Sequence, residues 1–255
     1  MQTAVMGLLG IRLRVGRRGI FNVRLDEDRS CILVVLGANF QWEKHLPAVQ
    51  DDYRESKQSW KKVLLDLKHR GMERDPKLLV GDGGLGLRAT LPEVFPTTKS
   101  RRCRVHKTAN ILNTMATSVQ RRAKSMLHDI YLADTKHNAE KAYEHFLASF
   151  KAKYPKATEC LEKDREELFA LYEFPAEHWQ RIRITNVIES VFATARLRTK
   201  KTTGCGTRIA TLTTVFKLIT ETLKTWRSLD ACTNRQLVQE GRRLIDGEIV
   251  EEPAA

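Results

Sequence analysis

Asp82 is the side chain best placed to do chemistry on a charged ligand. It stands in Val80-Gly81-Asp82-Gly83-Gly84, at the end of a short apolar run that follows Pro76. A carboxylate flanked by glycines can hold a divalent ion while the backbone approaches closely, because Mg²⁺ takes hard oxygen ligands and keeps positions for phosphate oxygens. The same Asp could instead cap the helix that follows. The spacing is not that of a dinucleotide-binding turn, whose acidic residue lies downstream of its glycines. Glu189 is the second acidic candidate. In Ile184-Thr185-Asn186-Val187-Ile188-Glu189-Ser190, Thr185 or Asn186 can cap a helix and place Glu189 in its first turns. A solvated Glu favoured by the helix dipole would look the same.

Three further groups stand out. Cys103-Arg104-Val105-His106 has the spacing of half a zinc site, but no second Cys/His pair has metal spacing, so a strand-end Cys with a His nearby is the simpler reading. Arg196, Arg198, Lys200, Lys201 and Arg208 surround Gly204-Cys205-Gly206, a basic loop suited to phosphate contacts. Trp179, beside Arg181 and Arg183, can stack on an unpaired base or pack in a core.

The elements that must position these groups follow from periodicity. Ile20–Leu25 and Cys31–Gly37, joined by a polar turn over Asp26–Ser30, read as a hairpin. A weaker strand near Leu46–Val49 is confined to an edge by Pro47. Trp60, Val63, Leu64 and Leu67 share one face of a helix over Ser56–Gly71. Lys77–Val80 reads as a buried strand, followed by a helix to about Val94 and a strand over Arg102–Val105. From there to about Ala170 the pattern is helical, broken at Tyr154-Pro155. Helices follow near Thr185–Arg198 and Thr207–Trp226, the latter with Leu212, Val215, Phe216, Ile219 and Leu223 in step. Strands clustered ahead of a helical block predict an α/β sheet core carrying a helical insertion.

The composition agrees with a folded chain that meets a polyanion. In 255 residues, 44 Lys and Arg against 31 Asp and Glu leave a net charge of +13, and hydrophobic residues make up 42%, which argues against wholesale disorder. Nucleic acid is expected ahead of an anionic membrane surface. No apolar run reaches the roughly 18 residues a membrane helix needs, and the N-terminus lacks the order of a secretory signal. Cys31, Cys103, Cys160, Cys205 and Cys232 are odd in number and scattered, which fits a reducing cytoplasm better than a disulfide framework.

Taken in order, NVRLDEDRSCILVVLGA, YRESKQSWKKVLLDLKHRG, LLVGDGGLG, RRCRVHKTANIL, KYPKATECL, FPAEHW, TNVIESVFATARLRTKKT and FKL resemble the Mutator family of bacterial insertion-sequence transposases. The resemblance runs from about Phe21 to about Trp226. It implies an RNase H-like mixed sheet with a helical insertion and C-terminal helices. The expected organisation is a divergent segment over 1–18, the first part of the core over 19–106, the insertion over 107–180, core-completing helices with the basic loop over 181–228, and a tail over 229–255. It also implies a catalytic Asp-Asp-Glu set, with Asp82 as the second Asp and Glu189 as the Glu, both holding Mg²⁺ or Mn²⁺. Cys103 and His106 match the family's Cys-x-x-His, which would support the active site. The implied chemistry is metal-dependent strand cleavage, then attack of the freed 3′-hydroxyl on target DNA. The implied partners are double-stranded DNA at element ends and target, and a second copy or a full-length transposase. The implied setting is the bacterial cytoplasm at the nucleoid, with no membrane.

The chain departs from the family pattern where the first Asp is expected, before the Gly that opens the first strand. Here Arg18 stands near that place, in Val15-Gly16-Arg17-Arg18-Gly19-Ile20. Asp26 cannot substitute, since eight extended residues span roughly 26 Å. Residues 1–18 do not resemble the family, and the resemblance implies a helical DNA-end-binding domain upstream, so the expectation is an N-terminally truncated copy. Val187 stands where Pro is usual and Arg104 where Trp is common. The expectation is a DNA-binding transposase copy with little nuclease activity, or a non-catalytic, inhibitory fragment.

Overall fold

The computed structural model describes residues 5–14, 31–39, 44–52, 54–176, 179, 207–225 and 244–249. The chain divides into two compact units. The first comprises Met1–Ser100 with Thr185–Ala231, and the second comprises Arg101–Ile184 with Cys232–Ala255. The fold class is mixed α/β.

In the first unit, β1 (Val5–Arg14), β2 (Cys31–Asn39), β3 (Lys44–Asp52), β4 (Leu78–Gly81) and β5 (Lys99–Arg102) form one sheet in the order β3-β2-β1-β4-β5. β1 pairs antiparallel with β2 and parallel with β4, with Gly10 opposite Gly81. The partner of β2 on that side is therefore Val5–Arg14; the hairpin strand expected at Ile20–Leu25 lies outside the described residues. β3 is an edge strand, where Pro47 deprives the ladder of one donor without cost to a second neighbour.

Residues Cys31–Leu36 are all at most 3% exposed, which is why β2 reads as a continuous apolar run rather than an alternating one. One alternate set, Cys31, Leu33 and Val35, packs with Trp60, Val63, Leu64 and Leu67 of α1 (Lys57–His69) and with Leu87, Leu91 and Val94 of α2 (Leu85–Val94). Ser56 caps α1 and exchanges hydrogen bonds with Ser59, and Gly71, at φ +101°, follows its end. The last long helix of this unit, Arg208–Thr225, packs against β3 through a face that includes the buried Val215 and Ile219. Phe216, expected on that face, is half-exposed, because it lies one position out of step with Val215 and Ile219.

The second unit is helical: α3 (Arg104–Leu112), α4 (Thr117–Leu132), α5 (Lys136–Phe150), α6 (Pro155–Glu162) and α7 (Arg165–Phe169). The helix Arg208–Thr225 is α8 in chain order. Leu127, Ile130, Tyr143, Phe146 and Leu161 form the buried interior. Pro155 opens α6, where its missing N–H is not needed. β6 (Leu244–Ile245) and β7 (Glu248–Ile249) make a hairpin across Asp246 (φ +52°) and Gly247 (φ +83°), a mirror-image turn that suits Asp-Gly. Asp246 accepts the Lys136 N–H, and Gly247 N donates to the Tyr172 carbonyl, so part of the stretch expected as a tail belongs to this unit.

The strand expected over Arg102–Val105 is corrected. The strand ends at Arg102 and α3 begins at Arg104. The inward face of α3 is Lys107, Thr108 and Ile111, two of them polar, so hydrophobic periodicity could not reveal the helix start.

Candidate active site

The strand that delivers Asp82 is buried along all four residues of β4. The chain then turns through Gly83, whose φ of +96° is a conformation other residues rarely adopt. The Gly84 N–H donates to Asp82 Oδ1 at 3.1 Å, so the carboxylate also braces the entry to α2. The N-cap of α2 is Gly84, without a side-chain cap, so Asp82 closes a local turn ahead of the helix rather than capping it, and it sits half-buried at the C-terminal end of a buried strand.

The glycines admit the N-terminus of α1. A Cβ on Gly84 would collide with the Glu55 carboxylate, and one on Gly86 would lie 2.6 Å from the Ser56 carbonyl oxygen and 2.9 Å from Trp60 Cδ1. Glu55 Oε1 in turn accepts the Trp60 Nε1–H at 3.0 Å. Thr90 Oγ1 donates to the Lys57 carbonyl at 2.9 Å, and Lys57 and Lys61 both pair with Glu93, which holds the Glu93 carboxyl below the usual carboxylate range. The Asp82 loop therefore rests on two helices that are tied to each other.

Sequence spacing did not single out Glu55. The signal that could have found it is Trp60, five residues on, because a buried indole N–H requires an acceptor.

Cys103 and His106 belong to the second unit. Cys103 is the N-cap residue of α3 and is fully buried, and His106 lies half-buried in the first turn of that helix. Among the described residues no group of three or more His, Cys, Asp or Glu is arranged to hold a metal ion. Behind this motif, the buried Lys107 ammonium donates to Asp164 Oδ2 at 2.6 Å and to the Cys160 carbonyl, and Arg102 Nη1 reaches the same carboxylate oxygen at 2.9 Å.

Trp179 is corrected. Its indole is 7% exposed, donates to the Phe174 carbonyl at 2.7 Å and meets Tyr172 edge-on at 4.9 Å between centroids. An indole so enclosed has no open face on which a base could stack, so it leaves the DNA-binding set. Glu189, Arg196, Arg198, Lys200, Lys201 and the Arg18 neighbourhood lie outside the described residues, and Arg208 opens α8.

The family described as "Transposase, Mutator family" matches residues 19–228. The chain belongs to the Mutator transposase family. The transposase for insertion sequence element IST2 of Acidithiobacillus ferrooxidans is 46% identical over 236 residues, covering 92% of this chain and 80% of that protein. The transposase for IS6120 of Mycolicibacterium smegmatis is 44% identical over 231 residues, covering 91% of this chain and 71% of that protein. The transposase for IS905 of Lactococcus lactis is 30% identical, over 68% of this chain and 44% of that protein. Strand β1 precedes the segment matched to the Mutator family. Among the described residues no helix is long and apolar enough to cross a membrane.

Proposed function

We propose that this Mutator-family chain is a transposase core of RNase H-like architecture that binds DNA and is impaired in strand cleavage. The core would be the first unit, Met1–Ser100 with Thr185–Ala231, and the insertion the helical stretch Arg101–Ile184 of the second. The observation that carries the reading is the placement of Asp82, half-buried on a glycine loop at the end of β4, which pairs with the strand in the middle of the sheet.

The donor chemistry suits a hard divalent cation. Asp82 and Glu189 offer carboxylate oxygens, and Gly83 and Gly84 leave no side chain of their own beside the first of them. Mg²⁺ or Mn²⁺ bound there would offset negative charge on the phosphate oxygens of the scissile strand. By the family resemblance, Cys103 and His106 would have a supporting role. Arg196, Arg198, Lys200, Lys201 and Arg208 would neutralise DNA phosphates, so binding would weaken steeply with salt. Arg18, near the place of the first Asp, would repel a cation and leave the ligand set short by one carboxylate.

The composition of β1 favours a second reading. The strand beside β4 carries Arg12 and Arg14 and contains neither Asp nor Glu. On that reading the chain occupies DNA, or pairs with an intact transposase, without cutting.

The deciding experiment incubates the chain with Mg²⁺ or Mn²⁺ and DNA carrying the ends of its element at several salt concentrations. Salt-sensitive binding with little cleavage is expected. Robust cleavage that disappears in Asp82→Ala would overturn the impairment, and a lack of salt-sensitive binding would overturn the DNA-binding reading.

A further inference from the structure

Glu55 touches the Asp82 loop from a different element. It lies at the entry to α1, two residues before the first helical position, and its reach is fixed at both ends. On one side Oε1 accepts the N–H of Trp60, an indole with 0% exposure. On the other side the carboxylate lies over Gly84 in the space that any side chain at that position would take. The Gly84 N–H is the donor that holds Asp82 Oδ1. With standard backbone dimensions, these contacts cap the separation of Glu55 Oε1 and Asp82 Oδ1 at about 7.5 Å.

We infer that Glu55 is a positioning residue for Asp82: pinned by Trp60, it presses on Gly84 and so sets the turn that aims the Asp82 carboxylate. The inference rests on the reading of Asp82 as a cation ligand. The physical argument concerns freedom. Gly83 and Gly84 admit backbone conformations closed to other residues, so an Asx turn built on them is loosely determined by itself. A rigid neighbour is needed to select one conformation. Trp60 is such an anchor, since it is buried in the core against α2 and β2 and its N–H fixes the carboxylate. The arrangement also explains why position 84 is Gly: the contact requires the absence of a Cβ.

The test measures Mn²⁺ affinity of the full chain by calorimetry, with thermal unfolding recorded on the same samples. Asp82→Asn is the control for the reading on which the inference rests. Glu55→Ala should weaken Mn²⁺ binding roughly tenfold, the scale seen when outer supports of metal ligands are removed. Glu55→Gln keeps the acceptor for Trp60 and the bulk over Gly84, and should restore affinity to near that of the unaltered chain. Gly84→Ala should weaken binding like Glu55→Ala, from the opposite side of the contact. If Asp82→Asn abolishes binding while Glu55→Ala and Gly84→Ala leave it unchanged in folded protein, the positioning role is overturned alone. If the unaltered chain binds no Mn²⁺ through Asp82, both the site and the positioning role fall. A loss of melting temperature without loss of affinity also overturns the role, because a brace that serves only stability would act in that way.

Discussion

Lys107 and Asp164 face each other across 2.6 Å with both side chains 3% exposed, and Arg102 shares the same carboxylate oxygen. The pair joins the first turns of α3 to the segment between α6 and α7. Removing one partner from such a pair strands the other charge away from water. Asp164→Ala should therefore destabilise the chain by about 3–5 kcal/mol. The double change Lys107→Met with Asp164→Leu should cost clearly less than Asp164→Ala alone, since no charge of the pair is then stranded. Urea unfolding followed by circular dichroism measures both, and equal losses would contradict this account.

The glycines of the Asp82 loop should rank by what their new methyl group meets. At Gly84 the obstacle is the end of the Glu55 side chain, which can yield only by giving up its hydrogen bond from Trp60. At Gly86 it is the Ser56 carbonyl, which is backbone held inside the cap of α1. Gly86→Ala should cost about 2–3 kcal/mol and Gly84→Ala less, within the range for overpacked sites. Denaturant midpoints of the two variants decide the order.

Much of the first unit was legible because its chemistry is local. Trp60, Val63, Leu64 and Leu67 announce a helical face, and all four are buried. The Asp82 loop was legible because glycine at a positive φ leaves a mark in sequence. Strand β1 was harder. Leu9, Ile11 and Leu13 alternate with Gly10, Arg12 and Arg14, a period-two signal that also resembles an apolar stretch interrupted by charge. The start of α3 was hidden because its inward positions are Lys107 and Thr108, and the burial of Lys107 depends on Asp164, more than fifty residues away. Glu55 was hidden for a related reason: its contact with Gly84 is tertiary, and no spacing rule encodes it. The turn at Asp246-Gly247 was readable in principle, as Asp-Gly between Ile245 and Glu248 is a hairpin signature.

Trp179 separates packing from DNA contact. Its indole supports Tyr172 and Phe174 within the second unit. Trp179→Ala should lower stability by about 3 kcal/mol or more, as large-to-small changes at buried aromatics do. In folded protein the slope of DNA affinity against salt should not change, because that slope counts phosphate contacts made by Lys and Arg. A Trp179→Ala protein of unchanged stability with weakened DNA binding would restore the stacking role.

Alkaline pH should act through Tyr131. Burial raises the phenol well above its ordinary value of about 10, with the Thr108 hydroxyl and the Arg101 charge only partly opposing the shift. The sign follows from linkage. The unfolded chain releases the phenol proton first, so the stabilisation is fully present below about pH 10 and is lost as pH rises towards the folded value. Tyr143 is raised as well, again chiefly by burial, so alkaline destabilisation has more than one source. The specific expectation is a difference between two proteins. Tyr131→Phe and the unaltered chain should lose stability in parallel up to about pH 9.5, and above that the unaltered chain should lose more, because only it carries this titrating phenol. Urea midpoints at pH 8.5, 9.5 and 10.5 would measure the gap, with the native helical signal checked at each pH. A gap that stays constant across the series would show that the buried phenol does not govern the alkaline limit.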